Sequence, residues 1–414
     1  MEQMEQSEII LAYIDPGTGS ALFSIAIAIA AAAYFLARGL YLKLGIVFSR
    51  DKKSLQSQCK FVIFAEDKRY WSFFEVVLDE FELRQIEVLY LTTSQDDPVF
   101  SSEYGFVKCK YIGKGNKAYA YLNFLSATFV LTTTPHLDVF QWKRSKNVKH
   151  YCHLIHGAGG TLLYRLFSLD YFDSVLVPGE IEIPEIRMLE QSRNQPAKQL
   201  VVVGNTFFDR CVERIKTITN ETDHRFTVLV SPSWGPSALL KTFGERLLDP
   251  LAETGWRIII RPHPQSVIVE KSMLDNLLEK YKDNPRIEWD YNHENIYSLA
   301  KSDVMISDFS GIIYDYVFLF DKPVLVNLQN LDFRRLDAHD VQEEPYYFQA
   351  IRKIGIELDG LCLDNIKEVI SGISQNVEMK KSRAEIKETM WQYRGESGRR
   401  VVDFAMKILE KESA

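Results

Sequence analysis

The sequence predicts an α/β protein of two tandem, doubly wound Rossmann-like domains behind an N-terminal transmembrane helix. Three observations carry this. Short apolar runs alternate with amphipathic stretches of helical length from residue 59 onward. The alternation halts in a polar stretch, 209–225, and then starts again. Residues 21–37, ALFSIAIAIAAAAYFLA, hold no charge. Strand–helix alternation makes a parallel sheet covered on both faces. Two such domains in series leave a cleft between the carboxyl ends of their strands.

Residues 1–20 read as a short extracytoplasmic segment and 21–42 as the membrane span. At about 1.5 Å per residue the uncharged run falls short of a ~30 Å hydrocarbon core. It reaches across if Arg38 snorkels to the interface and the helix runs on to Leu42. Glu2, Glu5, Glu8 and Asp15 precede the run, where a signal peptide would carry basic residues. A buried core helix is the competing reading, because alanine supplies little hydrophobic drive. Residues 43–58 form a basic linker. Arg38, Lys43, Arg50, Lys52, Lys53 and Lys60 all follow the run, so the positive-inside rule makes this a single-pass protein with its N-terminus outside and its bulk in the cytoplasm.

Residues 59–215 form the first Rossmann-like domain, with strands at 61–65, 87–92, 107–112, 129–132, 151–155, 174–177 and 200–203. Helices at 71–84 and 181–194 lie between them. Residues 216–376 form the second, with strands at 227–230, 256–260, 287–289, 304–306 and 324–326. Its helices fall at 237–254, 266–281, 294–300 and 311–320, and residues 377–414 are a charged helical tail. Each strand is a continuous apolar run closed by Gly, Pro, Ser, Thr or a charge.

Composition narrows the function. Lys and Arg number 49 against 56 Asp and Glu, a net charge of −7, which disfavours nucleic acid as a partner. The five cysteines are scattered, form no CxxC pair and suit a reducing compartment. The sequence shows no metal-ligand cluster, so no cofactor is required and a divalent metal is optional. Asp96-Asp97 sits in a Gln-Asp-Asp-Pro turn and reads as a turn.

The unusual residues follow strands, where a doubly wound fold places its ligands. After the strand at 151–155 comes His156-Gly157-Ala158-Gly159-Gly160-Thr161. His156 heads the loop, placed for proton transfer, and Gly157, Gly159, Gly160 and Thr161 suit an anion at a helix start. Arg261-Pro262-His263-Pro264 follows the strand at 256–260. Its prolines hold His263 stiffly, and Arg261 and His263 can stabilise phosphoryl oxygens. Ser307-Asp308-Phe309-Ser310-Gly311 opens the helix at 311–320, offering N–H groups and a hydroxyl to a phosphate. Asp315 lies one turn on, within reach of a ribose hydroxyl. Ser231-Pro232-Ser233 adds a small polar loop after another strand. Ordinary turns and N-caps account for each residue singly; the recurrence of the pattern after strands in both domains favours a site.

These motifs, in this order between about His150 and Leu328, resemble the CDP-glycerol glycerophosphotransferases of teichoic-acid and capsule synthesis. The resemblance rests on His156-Gly157, Gly204 with Asp209, Pro232-Ser233-Trp234, His263-Pro264, Ser307-Asp308-Phe309-Ser310-Gly311 with Asp315, and Lys322-Pro323. It implies a GT-B fold and a bacterial-type cytoplasmic membrane. It implies glycerol phosphate, or a related polyol phosphate, moving from a CDP-activated donor to a hydroxyl of a membrane-bound, polyprenyl-linked acceptor. It makes 59–215 the acceptor domain and 216–376 the CDP-donor domain. In that scheme His156 and His263 are catalytic: His156 is the general base and His263 stabilises the donor phosphate. Arg261, Ser231, Ser233, Asp308, Ser310, Gly311 and Asp315 hold the CDP part. The chain departs from the family where Ala158-Gly159-Gly160 replaces Thr-Pro-Leu and where Gly311 replaces a second Ser. A UDP-sugar glycosyltransferase or 2-epimerase-like enzyme, and a silent scaffold of the same fold, are the alternatives. Competition between CDP and UDP ligands separates the first, and binding without turnover marks the second.

Overall fold

The computed structural model describes residues 24–37, 59–158, 160–218, 224–292 and 294–413. The chain divides into two units, Met1–Ser57 and Gln58–Ala414. Within the first, residues 24–37 are a helix whose side chains are all exposed. No described helix is long and apolar enough to cross a membrane. At 1.5 Å per residue the 24–37 helix spans only about 21 Å. The remainder of the expected span, 21–23 and 38–42, lies outside the described residues, as do the 1–20 segment and the 43–58 linker.

The second unit holds two parallel sheets. Seven strands form the first: β1 (Cys59–Ala65), β2 (Val88–Thr92), β3 (Val107–Tyr111), β4 (Ala127–Thr132), β5 (Val148–Leu154), β6 (Ser174–Val177) and β7 (Gln199–Val202). They lie in the order β3-β2-β1-β4-β5-β6-β7. Six strands form the second: β8 (Thr227–Val230), β9 (Arg257–Ile260), β10 (Ile287–Trp289), β11 (Val304–Ser307), β12 (Val324–Val326) and β13 (Gly355–Glu357). Their order is β10-β9-β8-β11-β12-β13. The order reverses beside β1 in one sheet and beside β8 in the other, so the crevices for ligands open between β1 and β4 and between β8 and β11.

Central strands are buried along their whole length, Thr-Val-Leu-Val in β8 and Val-Met-Ile-Ser in β11, because helices cover both faces. The expected helix at 237–254 is two, Leu239–Thr242 and Glu245–Glu253, interrupted at Phe243-Gly244. That at 266–281 is also two, Pro264–Val269 and Lys271–Tyr281, broken at the non-helical Glu270, with Pro264 starting the first two residues early.

The tail does not stand apart. Its last helix, Ser397–Ser413, crosses back and buries Val401, Val402, Phe404, Ala405 and Ile408 in the core of the first sheet with Phe61 and Phe129. Gly398 permits this approach, since a Cβ there would meet the Val76 carbonyl oxygen at 2.1 Å. Asp209, on the helix Thr206–Ile215, holds the crossing by accepting the backbone N–H groups of Gly395 at 2.8 Å and Ser397 at 3.0 Å.

Candidate functional site: a cleft between the two sheets

A cavity of about 530 Å³ opens at the carboxyl ends of the strands, with walls from both sheets. The β8–β11 crevice contributes Ser231 and Ser310, and the loop after β9 contributes Arg261 and His263. Asn295 and Ile296 close that side. Opposite them stand Lys68, Arg69 and Phe73 from the segment after β1, with Phe207 and Arg214 from the helix Thr206–Ile215.

His263 is fixed by its own helix. It is the N-cap of Pro264–Val269, and its Nδ1 accepts the Gln265 N–H at 3.0 Å. An acceptor Nδ1 places the ring proton of neutral imidazole on Nε2, which leaves a donor for the cavity. Burial pushes the pKa of His263 down, Arg69 adds to this, and Glu270 opposes it. A neutral donor results. Arg261 is held by Asp290 at 2.5 Å and by the Asn292 carbonyl at 2.6 Å, so its guanidinium stands rigidly in the wall.

Ser310 and Gly311 precede the helix Ile312–Phe320, which no side chain caps. A Cβ on Gly311 would meet nothing within 4 Å, so the helix N-terminus faces open space. Asp315 is not in the wall. It accepts weakly from the Asn295 amide at 3.5 Å, and burial pushes its carboxyl up to about 7 against that bond.

Two expected ligands have other duties. The Asp308 carboxylate accepts the backbone N–H of Ser233 at 3.0 Å and that of Leu239 at 2.8 Å, clamping the loop after β8 to β11. Burial pushes it up to about 6 although those donors pull it down. Ser233 is buried, its N–H goes to Asp308, and its hydroxyl has no partner among the described residues. Asp308 therefore shapes the loop that carries Ser231 into the wall.

The structure places His156 behind the cavity wall. It lies among Tyr70, Phe73 and Tyr164 with ring centroids 5.5, 5.6 and 5.5 Å away, and Phe73 separates it from the donor side. Its Nδ1 is 3.0 Å from the Tyr164 hydroxyl. Burial pushes the imidazole down to about 4, against a hydrogen bond to the Thr133 backbone. The expected anion loop behind it is engaged elsewhere. Gly160 has φ +86, and a Cβ there would meet the Tyr347 ring at 3.2 Å. The buried Thr161 donates its hydroxyl to Glu182, a carboxylate that would repel an anion. The Gly157 carbonyl accepts from Asn205 at 3.4 Å, and Gly159 lies outside the described residues.

Lys68, Arg69, Arg214 and Asn295 were not legible as site residues. Lys68 pairs with Asp96, Arg69 with Asp67 at 2.8 Å, and Arg214 with the buried Glu75 at 2.8 Å, and no local sequence pattern sets these cations apart from others along the chain. The signal was positional: Lys68 and Arg69 follow the strand where the first sheet reverses its order. Asp97 accepts the Val99 N–H and caps the turn Pro98–Ser101, as the sequence suggests.

Residues 202–407 match the family described as CDP-Glycerol:Poly(glycerophosphate) glycerophosphotransferase. Over these residues the chain belongs to this family. It is a CDP-glycerol glycerophosphotransferase-like transferase, and the match spans the whole second sheet and most of the tail. No curated protein matches the sequence. Among solved structures, the wall teichoic acid polymerase TagF, an H444N form with CDPG, superposes with a TM-score of 0.54 at 14% identity, covering 92% of this chain and 98% of that one. The UDP-GlcNAc 2-epimerase of Neisseria meningitidis bound to UDP-GlcNAc gives 0.54 at 16%, covering 84% and 100%. The S. aureus MnaA–UDP structure gives 0.55 at 13%, covering 85% and 97%. At these identities the likeness is one of fold, the GT-B-like pair of parallel sheets. Lys68, Arg69 and His156 lie outside the family match, so in this glycerophosphotransferase-family chain the first-sheet wall of the cleft stands on its geometry alone.

Proposed function

We propose that the protein moves glycerol phosphate, or a related polyol phosphate, from a CDP-activated donor to a hydroxyl of a membrane-linked glycan or polyol phosphate. The observation that carries this is the 530 Å³ cleft, where His263 and the uncapped helix after Ser310 face Lys68 and Arg69. A diphosphate needs donors and cations on both sides, and this wall supplies them. In the reaction the acceptor oxygen attacks the β-phosphorus, the bond to the CMP oxygen breaks, and the acceptor proton passes to a base. CMP leaves.

The chain's residues divide this work. Ser231, Ser310 and the N–H groups beside Gly311 hold phosphate oxygens, and Asn295, positioned by Asp315, meets the nucleoside side. His263 donates Nε2–H to the phosphoryl oxygen on which charge grows. Arg261 and Arg69 steady the diphosphate from opposite walls. His156, neutral because it is buried and with Nδ1 3.0 Å from the Tyr164 hydroxyl, takes the proton on its ring. The apolar run at 21–37 and the basic residues after it support a membrane anchor with the catalytic domains on the cytoplasmic side.

Incubation of the full chain and native membranes with labelled CDP-glycerol, CDP-ribitol and UDP-GlcNAc tests the reading. Label from a CDP-polyol should enter lipid with release of CMP. Incorporation from UDP-GlcNAc alone contradicts it.

A further inference from the structure

The first sheet has a crevice of its own, at its order reversal between β1 and β4. A separate pocket of about 150 Å³ occupies it, lined by Glu66, Tyr119, Thr134, His136, Phe140 and Trp142. Glu66 follows β1 directly, and Thr134 lies two residues after β4.

The chemistry of this pocket differs from that of the cleft. No lysine or arginine is among the side chains that line it, and Glu66 brings a carboxylate, so a phosphate would be repelled. Tyr119 donates to Glu66 at 3.2 Å, and the His136 Nε2 lies 3.1 Å from the Arg165 carbonyl. A carbonyl partner makes Nε2 the donor in that bond. The Glu66 carboxylate oxygens are acceptors and suit a ligand rich in hydroxyl donors. Thr134 and Trp142 are buried, and their Oγ1 and Nε1 atoms have no partner among the described residues. Phe140 is 58% exposed, its ring 5.3 Å from that of His136. Such an aromatic at the mouth offers a face to the C–H side of a polyol or sugar.

Position ties the pocket to the reaction. The loop that begins at Glu66 carries Lys68 and Arg69 into the cleft and Tyr70 against His156. His156 is also hydrogen-bonded to the backbone of Thr133, the neighbour of Thr134. The candidate base thus touches Phe73, which lines the cleft, and bonds the backbone next to Thr134, which lines the pocket.

We propose that this pocket seats a neutral, polyhydroxylated group of the acceptor, a polyol or sugar residue beside the hydroxyl that attacks. The inference rests on the transferase reading above. The test is saturation-transfer NMR on the full chain with glycerol and methyl N-acetylglucosaminide as neutral probes, and glycerol 3-phosphate as the anionic control. The neutral probes should receive saturation and the anionic one much less. Tyr119→Phe and Phe140→Ala should each weaken the signal about fivefold, the change expected from one lost contact. No signal from the wild type, or a wild-type signal from both variants, overturns the proposal. A parallel CDP titration keeps the two readings apart. Failure of the wild type to bind CDP would sink the donor site and leave the pocket result standing.

Discussion

The Nδ1 atom of His263 accepts the backbone N–H of Gln265 across 3.0 Å. One bond thus does two things: it caps the helix Pro264–Val269, and it commits Nε2–H to the cleft. The two duties call for different substitutes. His263→Ala should lose about 10²–10³ in rate, as for a missing oxyanion donor, and about 1 kcal/mol of cap stability. His263→Asn should restore the melting temperature and leave the rate low. His263→Gln should recover part of the rate without the cap. Rate and melting temperature measured on all three check this, and undiminished turnover in His263→Ala removes the residue from the mechanism.

Burial sets the pH behaviour of His156. Its folded value of about 4 lies below the usual imidazole range, so the folded protein binds fewer protons there than the unfolded chain. Its contribution to stability is present above about pH 6.5 and is lost as the pH falls toward the folded value. His156→Gln should therefore flatten part of the acid side of a melting-temperature profile. The acidic limb of kcat/KM should lie well below the ordinary imidazole value and vanish with the variant's activity. A limb at the ordinary value would place the base elsewhere.

Arg69 reaches the cleft from a mostly exposed position, 66% accessible, with Asp67 as its partner. Arg69→Ala should weaken CDP-donor binding about tenfold, as for one charge-assisted contact. The loss should shrink at high salt. Calorimetric titration at two salt concentrations reads both. Unchanged affinity would confine the diphosphate to the second-sheet wall.

Glu185 and Glu182 lie buried together where the sheets' helices meet, and Glu185 accepts the Tyr346 N–H at 2.7 Å. Burial, reinforced by Glu182, holds the Glu185 carboxyl well above the usual range. A raised folded value gives stability that is full below the unfolded value of about 4.3 and lost as pH rises through the folded one. The wild type should lose this contribution progressively as the pH rises from about 4.3 to about 8, with no further loss above that. Glu185→Gln, which keeps an acceptor for Tyr346, should not. Parallel slopes for both proteins would contradict this.

Strands such as β8 and β11 were legible because burial on both faces leaves continuous apolar runs in the sequence. β13 was not, since three residues between helices carry no period. The tail's helices were visible, but nothing local to 397–413 says that Phe404 packs 6.1 Å from Phe129. The site divides the same way. His263 and Ser310 were readable from residue type and position after a strand. Asp308 had the right type, yet it is consumed by backbone donors supplied by β8's loop. Lys68 and Arg69 became site residues only through the strand order that sets β1 beside β4.

The central claim is that the cleft between the two sheets holds a CDP-activated polyol. The most direct measurement is equilibrium binding of CDP-glycerol to the full chain and to Ser310→Ala, with UDP-GlcNAc as competitor. The account expects CDP-glycerol to bind the wild type, to bind Ser310→Ala about tenfold more weakly for one lost phosphate contact, and to resist displacement by UDP-GlcNAc. Tighter binding of UDP-GlcNAc, or CDP-glycerol affinity unaltered by Ser310→Ala, would contradict it.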